Sequence, residues 1–138
     1  MGWNDAVIEQ FLEGRARIVD TFDRDNLVLL DTTGARTGQR RTSPVACLPD
    51  GDRLLVVASK AGADTHPAWF HNLVANPTVH VRRWEGDALA QYAAAAEVLE
   101  GEDRAAAWDR IVAWSPGFAE YQTKTDRVIP VVALTPER

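Results

Sequence analysis

A chain of 138 residues and 15.2 kDa has the size of one domain, and 46% hydrophobic with 25% charged residues is ordinary globular usage. A net charge of -5 and a pI near 5.1 exclude general binding to nucleic acid or to anionic membrane surfaces, which needs a surplus of Lys and Arg. The single Cys47 excludes an intramolecular disulfide, and no segment approaches the roughly 18 apolar residues of a membrane span.

The amino terminus has no charged region followed by an apolar run, which points to a cytoplasmic protein without a secretion signal. Asn4 can cap a helix in which Val7, Ile8, Phe11 and Leu12 recur at helical spacing as far as about Gly14. A second short helical stretch is expected over 18–22, so that 1–24 reads as a helical N-terminal segment of one domain spanning 1–138. From Leu27 the pattern changes to short apolar runs bounded by turn residues: 27–30, 45–48 and 54–58 read as strands. The last two flank Pro49-Asp50-Gly51-Asp52, a hairpin signal because Asp-Gly tolerates positive φ.

Thr65 can cap a helix over 68–75 that has Pro67 in its first turn and stops at Asn76-Pro77. Val79 and Val81 alternate with His80 and Arg82 as in a half-buried strand, and 88–99, despite its alanines, is read as another. Glu102 and Asp103 open a helix with Trp108, Ile111 and Val112 on one face, which ends at Ser115-Pro116-Gly117. A last strand is expected over 128–134. Strands in the middle with helices at the ends and between them predict an α+β fold built on a small barrel or strongly curved antiparallel sheet.

Chemistry concentrates in two segments. Residues 32–44 carry three arginines and no acid in an otherwise acidic chain. Gly34 and Gly38 there allow sharp turning and close approach, while Arg36 and Arg41 offer charge-assisted bonds to phosphate or carboxylate. The same residues would also make a plain solvated hairpin turn. The loop after 54–58, with Ser59 and Lys60, joins a strand to a helix and so collects backbone donors beside a positive charge; Lys60 alone reads equally as a surface lysine. Trp69 and Phe70 are helix-face core residues or walls for a ring-shaped ligand. Tyr121 is a packed tyrosine or a proton and hydrogen-bond donor. His66, His71 and His80 have no ligand spacing with one another or with Cys47, so neither a metal site nor a hydrolytic triad is expected.

Four stretches in this order, Leu-Asp-Thr-Thr-Gly-Ala-Arg-Thr-Gly-Gln-Arg-Arg-Thr-Ser-Pro, Val-Ala-Ser-Lys-Ala-Gly-Ala, His-Pro-Ala-Trp-Phe-His-Asn-Leu-Val-Ala-Asn-Pro and Glu-Tyr-Gln-Thr-Lys-Thr-Asp-Arg-Val-Ile-Pro-Val-Val, resemble the deazaflavin-dependent nitroreductase family. The resemblance covers almost the whole chain after about Leu27. It implies a split β-barrel related to FMN-binding proteins, and a cytoplasmic actinobacterial oxidoreductase that uses the reduced deazaflavin coenzyme F-420. That coenzyme ends in a phosphodiester and a chain of glutamates. The resemblance implies that Ala35, Arg36, Thr37 and Arg41 hold this acidic part, with Ser59 and Lys60 on the facing loop. Thr42, Ser43, Pro44, Val45 and Ala46, with Val57 and Ala58, are then expected to line the path to the ring. Ala68, Trp69, Phe70, His71 and Asn72 would complete the pocket.

The implied reaction is hydride transfer to a quinone-like or other electron-poor conjugated acceptor, nitro compounds among them, with Tyr121 as the catalytic phenol and no metal. Ser115, Phe118 and Ala46 stand where relatives that reduce bicyclic nitroimidazoles carry aromatic residues, so nitroimidazole activation is not implied. An FMN-binding flavoprotein of the same barrel type and a non-catalytic deazaflavin binder remain as alternatives, as do a monomer and a homodimer.

Overall fold

The computed structural model describes residues 3–137. Met1, Gly2 and Arg138, the ends of the expected domain span, lie outside the described residues. Helix α1 (Trp3–Leu12) is followed by a small hairpin, β1 (Arg17–Ile18) and β2 (Phe22–Asp23). Then come β3 (Leu27–Thr33), β4 (Arg40–Asp50), β5 (Arg53–Val57), α2 (Ala68–Ala75), β6 (Thr78–Glu85) and β7 (Ala88–Val98). Helices α3 (Gly101–Trp114) and α4 (Gly117–Thr123) precede the last strand, β8 (Val131–Pro136). The fold is α+β, as expected: six antiparallel strands close into a barrel in the order β3-β4-β5-β8-β7-β6.

The strand period of two builds three cores from one barrel wall. Val28 and Leu30 of β3 face inward with Cys47, Val56, Val81, Ala94 and Val132, and Leu73 of α2 packs with them. Leu27 and Leu29, the alternate residues of β3, face outward under Val7 and Phe11 of α1. Leu55, Val57, Val131 and Ala133 do the same on β5 and β8, where Ala107 and Ile111 of α3 cover them. Strands buried on both faces explain why 27–30 reads as a continuous apolar run rather than an alternation. The Asp50-Gly51 turn forms the β4–β5 hairpin with Gly51 at φ +63°, and 88–98 is a strand paired along β6.

Five local expectations are corrected. Asn4 does not cap the first helix but lies inside it, because α1 already includes Trp3. The helix expected over 18–22 is the β1–β2 hairpin, because Val19 and Asp20 take φ +44° and +57°, left-handed values that end any helix. Pro67, not Thr65, caps α2; the Thr65 hydroxyl instead accepts a hydrogen bond from Lys60 Nζ at 3.2 Å. Ser115-Pro116-Gly117 ends α3 but also starts α4, with Pro116 as its N-cap. The last strand begins at Val131 rather than Val128, since the Ile129 N–H is taken by the Gln122 side chain and Val128 is exposed.

Candidate active site

The turn between β3 and β4 is closed by its own backbone. The Gly34 N–H donates to the Gln39 carbonyl at 2.7 Å and the Gly38 N–H to the Gly34 carbonyl at 2.9 Å. Gly38 sits at φ +71°, whereas Gly34 is needed for space: a Cβ there would stand 2.8 Å from Thr37 Oγ1. Helix α2 pins this turn through Asn72, whose Oδ1 accepts from the Ala35 N–H at 3.0 Å and whose Nδ2 donates to Thr32 Oγ1 at 3.2 Å.

Under the turn lies Asp31, whose side chain is 2% exposed. Thr42 Oγ1 and Arg82 donate to its Oδ1, while Arg40 and His80 Nδ1 meet its Oδ2. Burial pushes this carboxyl up, but the bonds from Thr42, Arg40 and His80 and the charge of Arg82 outweigh it and hold it below its ordinary value. Asp31 stands one residue before the acid-free segment and takes Arg40 out of it, which leaves Arg36 exposed on the turn and Arg41 exposed at the start of β4.

A lowered carboxyl stabilises the fold above its unfolded value and loses that contribution as pH falls through the folded one. Asp31→Asn is therefore expected to cost about 3 kcal/mol at pH 7, the low end for removing one member of a buried pair, because Arg40 keeps access to water. Urea melts at pH 7 and at about pH 3 check this. The gap between parent and variant should narrow at the acid end, and an equal gap at both would mean that Asp31 contributes by packing alone.

Three open cavities run together across the face formed by this turn, α2, α4 and the β1–β2 hairpin. The first, about 770 Å³, is lined by Ala35, Arg36, Thr37, Arg41, Thr42 and Ser43 on one side and Ala68, Trp69, His71 and Asn72 on the other. The second, about 750 Å³, shares Ser43, Ala68 and Trp69 with it and continues along Pro44, Val45, Ala46 and Val57 to Ser59, Lys60 and Tyr121. A third, about 320 Å³, shares Phe22, Ala46, Phe118 and Tyr121 with the second and adds Asn26, Trp114 and Ser115. The groove thus passes from a cationic basin, through a mixed chamber, to an aromatic end. There Trp114, Phe118 and Tyr121 form a row, with ring centroids 6.1 and 5.9 Å apart.

Most of the residues singled out in the sequence meet in this groove; Phe70 and Ala58 do not, and Thr42 and Lys60 do so differently from what was expected. Phe70 lines none of the three cavities and packs against the barrel core, its ring 4.7 Å from that of His66. Ala58 is fully buried, and the Thr42 hydroxyl is engaged by Asp31. Lys60 lies in the second cavity, not beside Arg36 and Arg41 in the first. Asn4, Phe22, Asn26 and Trp114 also reach the groove and were not anticipated. For Phe22 the misread hairpin hid the signal; Trp114 closes the helix-face spacing of Trp108 and Ile111, where an i+3 partner could have been sought.

The loop 58–63 is gripped from the far end of the chain. Arg127 donates from Nε to the Ala63 carbonyl (2.8 Å), from Nη2 to Ser59 (2.8 Å) and from Nη1 to Ala58 (3.1 Å). Its Nη1 also meets His66 Nδ1 at 3.0 Å. Burial, then the charges of Arg127 and His71, push the His66 imidazole down, which keeps Nδ1 available as an acceptor. Among the described residues no group of His, Cys, Asp and Glu is placed to hold a metal ion, and no helix is long and apolar enough to cross a membrane.

Residues 5–136 match the model of a family described as F420H(2)-dependent quinone reductase. The chain belongs to this family. A quinone reductase of the family from Mycobacterium tuberculosis strain H37Rv is 39% identical over 109 residues, which are 78% of this chain and 72% of the relative. A second relative from the same strain is 30% identical and matches 79% of this chain and 88% of its own length. Among solved structures, an F420-H2 dependent reductase, FDR-A, is 43% identical with a TM-score of 0.68 over 79% of this chain and 93% of its own. Another, described as a domain-swapped dimer, is 41% identical with a TM-score of 0.71 over 96% of both chains. The heme storage protein HutZ from Vibrio cholerae, at 15% identity and a TM-score of 0.65, shares the fold alone.

The groove of this family member fits a long, anionic, ring-bearing coenzyme. Its basin carries two exposed guanidinium groups beside a turn with no room for a Cβ at Gly34. Its far end carries no cation: Phe22, Trp114, Phe118 and Tyr121 supply aromatic walls there, with Asp23, paired to Arg17, at the edge.

Proposed function

We propose that this protein transfers a hydride from the reduced deazaflavin coenzyme F-420 to a quinone, with the groove as its active site. The observation that carries the reading is the continuity of the three cavities, cationic at one end and aromatic at the other, in a chain of this family. Arg36 and Arg41, with Thr37 and the turn backbone, hold the acidic tail in the first cavity. Ser43 to Ala46, Val57, Ser59 and Lys60 flank the ring in the second, with Ala68 and Trp69 opposite. The bound coenzyme supplies the hydride.

The protein's task is then orientation, exclusion of water and one proton. Phe22, Trp114 and Phe118 wall the third cavity, where a planar acceptor lies against aromatic faces. Tyr121 lines both the second and third cavities, so its phenol stands between ring and acceptor and supplies a hydrogen bond or proton to the acceptor oxygen. The coenzyme's charge confines it to water, and we place the reaction in the cytoplasm.

Fluorescence titration with F-420 and with FMN, followed by assay of reduced coenzyme against menadione, tests the reading. Saturable F-420 binding with quinone turnover is expected. Preferential FMN binding would make the protein a flavoprotein of the same barrel, and F-420 binding without turnover on a broad acceptor panel would make it a coenzyme carrier. Phe22→Ala should raise KM for menadione roughly 3- to 30-fold, the loss of about 0.7–2 kcal/mol of ring contact, and weaken coenzyme binding less, because Phe22 only borders the second cavity. Steady-state kinetics at saturating coenzyme measure this, and an unchanged KM would take the hairpin out of the acceptor site.

A further inference from the structure

The loop joining β5 to α2 carries Ser59 and Lys60 into the second cavity in a shape that its own residues do not favour. Lys60 stands at φ +45°, in the left-handed region that side chains rarely adopt, and Gly62 follows at +81°. Two bonds within the loop, from the Gly62 N–H to the Ser59 carbonyl at 2.9 Å and from the Ala63 N–H to the Lys60 carbonyl at 3.0 Å, close a single 3-10 turn, and a further restraint comes from outside it. The Arg127 fork gathers the carbonyls of Ala58, Ser59 and Ala63 at 2.8 to 3.1 Å. In a trans peptide the N–H points opposite to the carbonyl, so the same grip turns the N–H groups of Ser59 and Lys60 away from Arg127.

Arg127 is itself held. Gln122 donates from Nε2 to the Arg127 carbonyl at 2.7 Å and accepts the Ile129 N–H at 3.0 Å, and the Arg127 N–H donates to Thr125 Oγ1 at 3.3 Å. Gln122 follows Tyr121 on α4, and a Cβ on Gly62 would stand 2.8 Å from the Tyr121 carbonyl. Loop and helix therefore touch backbone to backbone.

We propose that Arg127 is a positioning residue for the coenzyme: it holds Ser59 and Lys60 in the cavity wall and, through Gln122, fixes that wall against the helix that carries Tyr121. This rests on the reading that Ser59 and Lys60 contact the coenzyme. The side chain acts through the loop's shape, and its charge is turned to loop carbonyls rather than to the groove.

Three variants, Lys60→Ala, Arg127→Ala and Arg127→Lys, test it by fluorescence titration with oxidised F-420, melting temperature and amide hydrogen exchange. Arg127→Ala is expected to weaken F-420 binding about 10- to 100-fold, the scale of a misplaced contact, and to speed exchange at residues 58–65 while the barrel strands stay protected. Millimolar guanidinium should restore part of the affinity. Arg127→Lys keeps the charge but cannot span three carbonyls, so it should bind more weakly than the parent too; it decides the matter if the alanine variant does not fold. A lowered melting temperature with parental affinity and parental exchange at 58–65 would overturn the proposal. If Lys60→Ala and the parent bind F-420 equally, the site reading itself fails; if Lys60→Ala is weakened and neither Arg127 variant is, only the positioning role fails.

Discussion

Tyr121→Phe is expected to lower quinone turnover by about 10- to 1,000-fold, the range for losing one positioned donor or proton source, with coenzyme affinity nearly unchanged. Hydride delivery to a quinone leaves negative charge on an oxygen, and a phenol beside that oxygen stabilises the charge only as it develops. Ser115 and Phe118 line the same cavity, but a phenylalanine ring has no donor and the serine hydroxyl is far shorter than a phenol. The Tyr121 ring is already fixed, edge-on to Phe118 at 81° and with the Lys124 ammonium 5.6 Å from its centroid, so Phe should keep the packing. Turnover, coenzyme affinity and melting temperature of the Phe and Ala variants separate chemistry from packing. Parental turnover in Tyr121→Phe would leave proton delivery to water.

Arg36→Ala and Arg41→Ala should each weaken F-420 binding by roughly 10- to 150-fold, the equivalent of one charged hydrogen bond of about 1.5–3 kcal/mol. Both arginines are exposed, Arg36 on the turn and Arg41 at the start of β4, and Asp31 engages Arg40 rather than either of them. Their contribution should therefore be screened: raising the salt ought to weaken the parent more than the double variant. Titrations at two ionic strengths check both statements. If both single variants bind as the parent does, the acidic tail does not lie in the first cavity.

The sequence carries most of the barrel because its strands are short apolar runs, or in β6 an alternation, punctuated by turn chemistry such as Asp50-Gly51. The β1–β2 hairpin was hidden for the opposite reason. Nothing in Val19-Asp20 announces two left-handed residues, and a β-branched residue at φ +44° is imposed by tertiary contacts, among them the bond from the Val19 N–H to Gln10 Oε1. Helix α4 was missed because a Ser-Pro-Gly signal that ends one helix can equally begin the next. In the site, the basic turn was legible as a local concentration of charge. The partition of its arginines was not, because Asp31 lies just outside the window. The role of Arg127 was illegible: the partners of its side chain are 61 to 69 residues away, and no local pattern encodes that.

One core residue bears on how such an enzyme survives its own substrate. Quinones are electrophiles that arylate thiolates, and Cys47 is the chain's single thiol. It lies fully inside the barrel, where burial pushes it up to about 12. At neutral pH the reactive anion is therefore scarce, and it would have no exposed surface to present. The groove that admits the acceptor and the barrel that stores the sulfur are separated by the strand wall of β4, with Ala46 on the cavity and Cys47 behind it. Self-poisoning by substrate is thereby made to wait on unfolding.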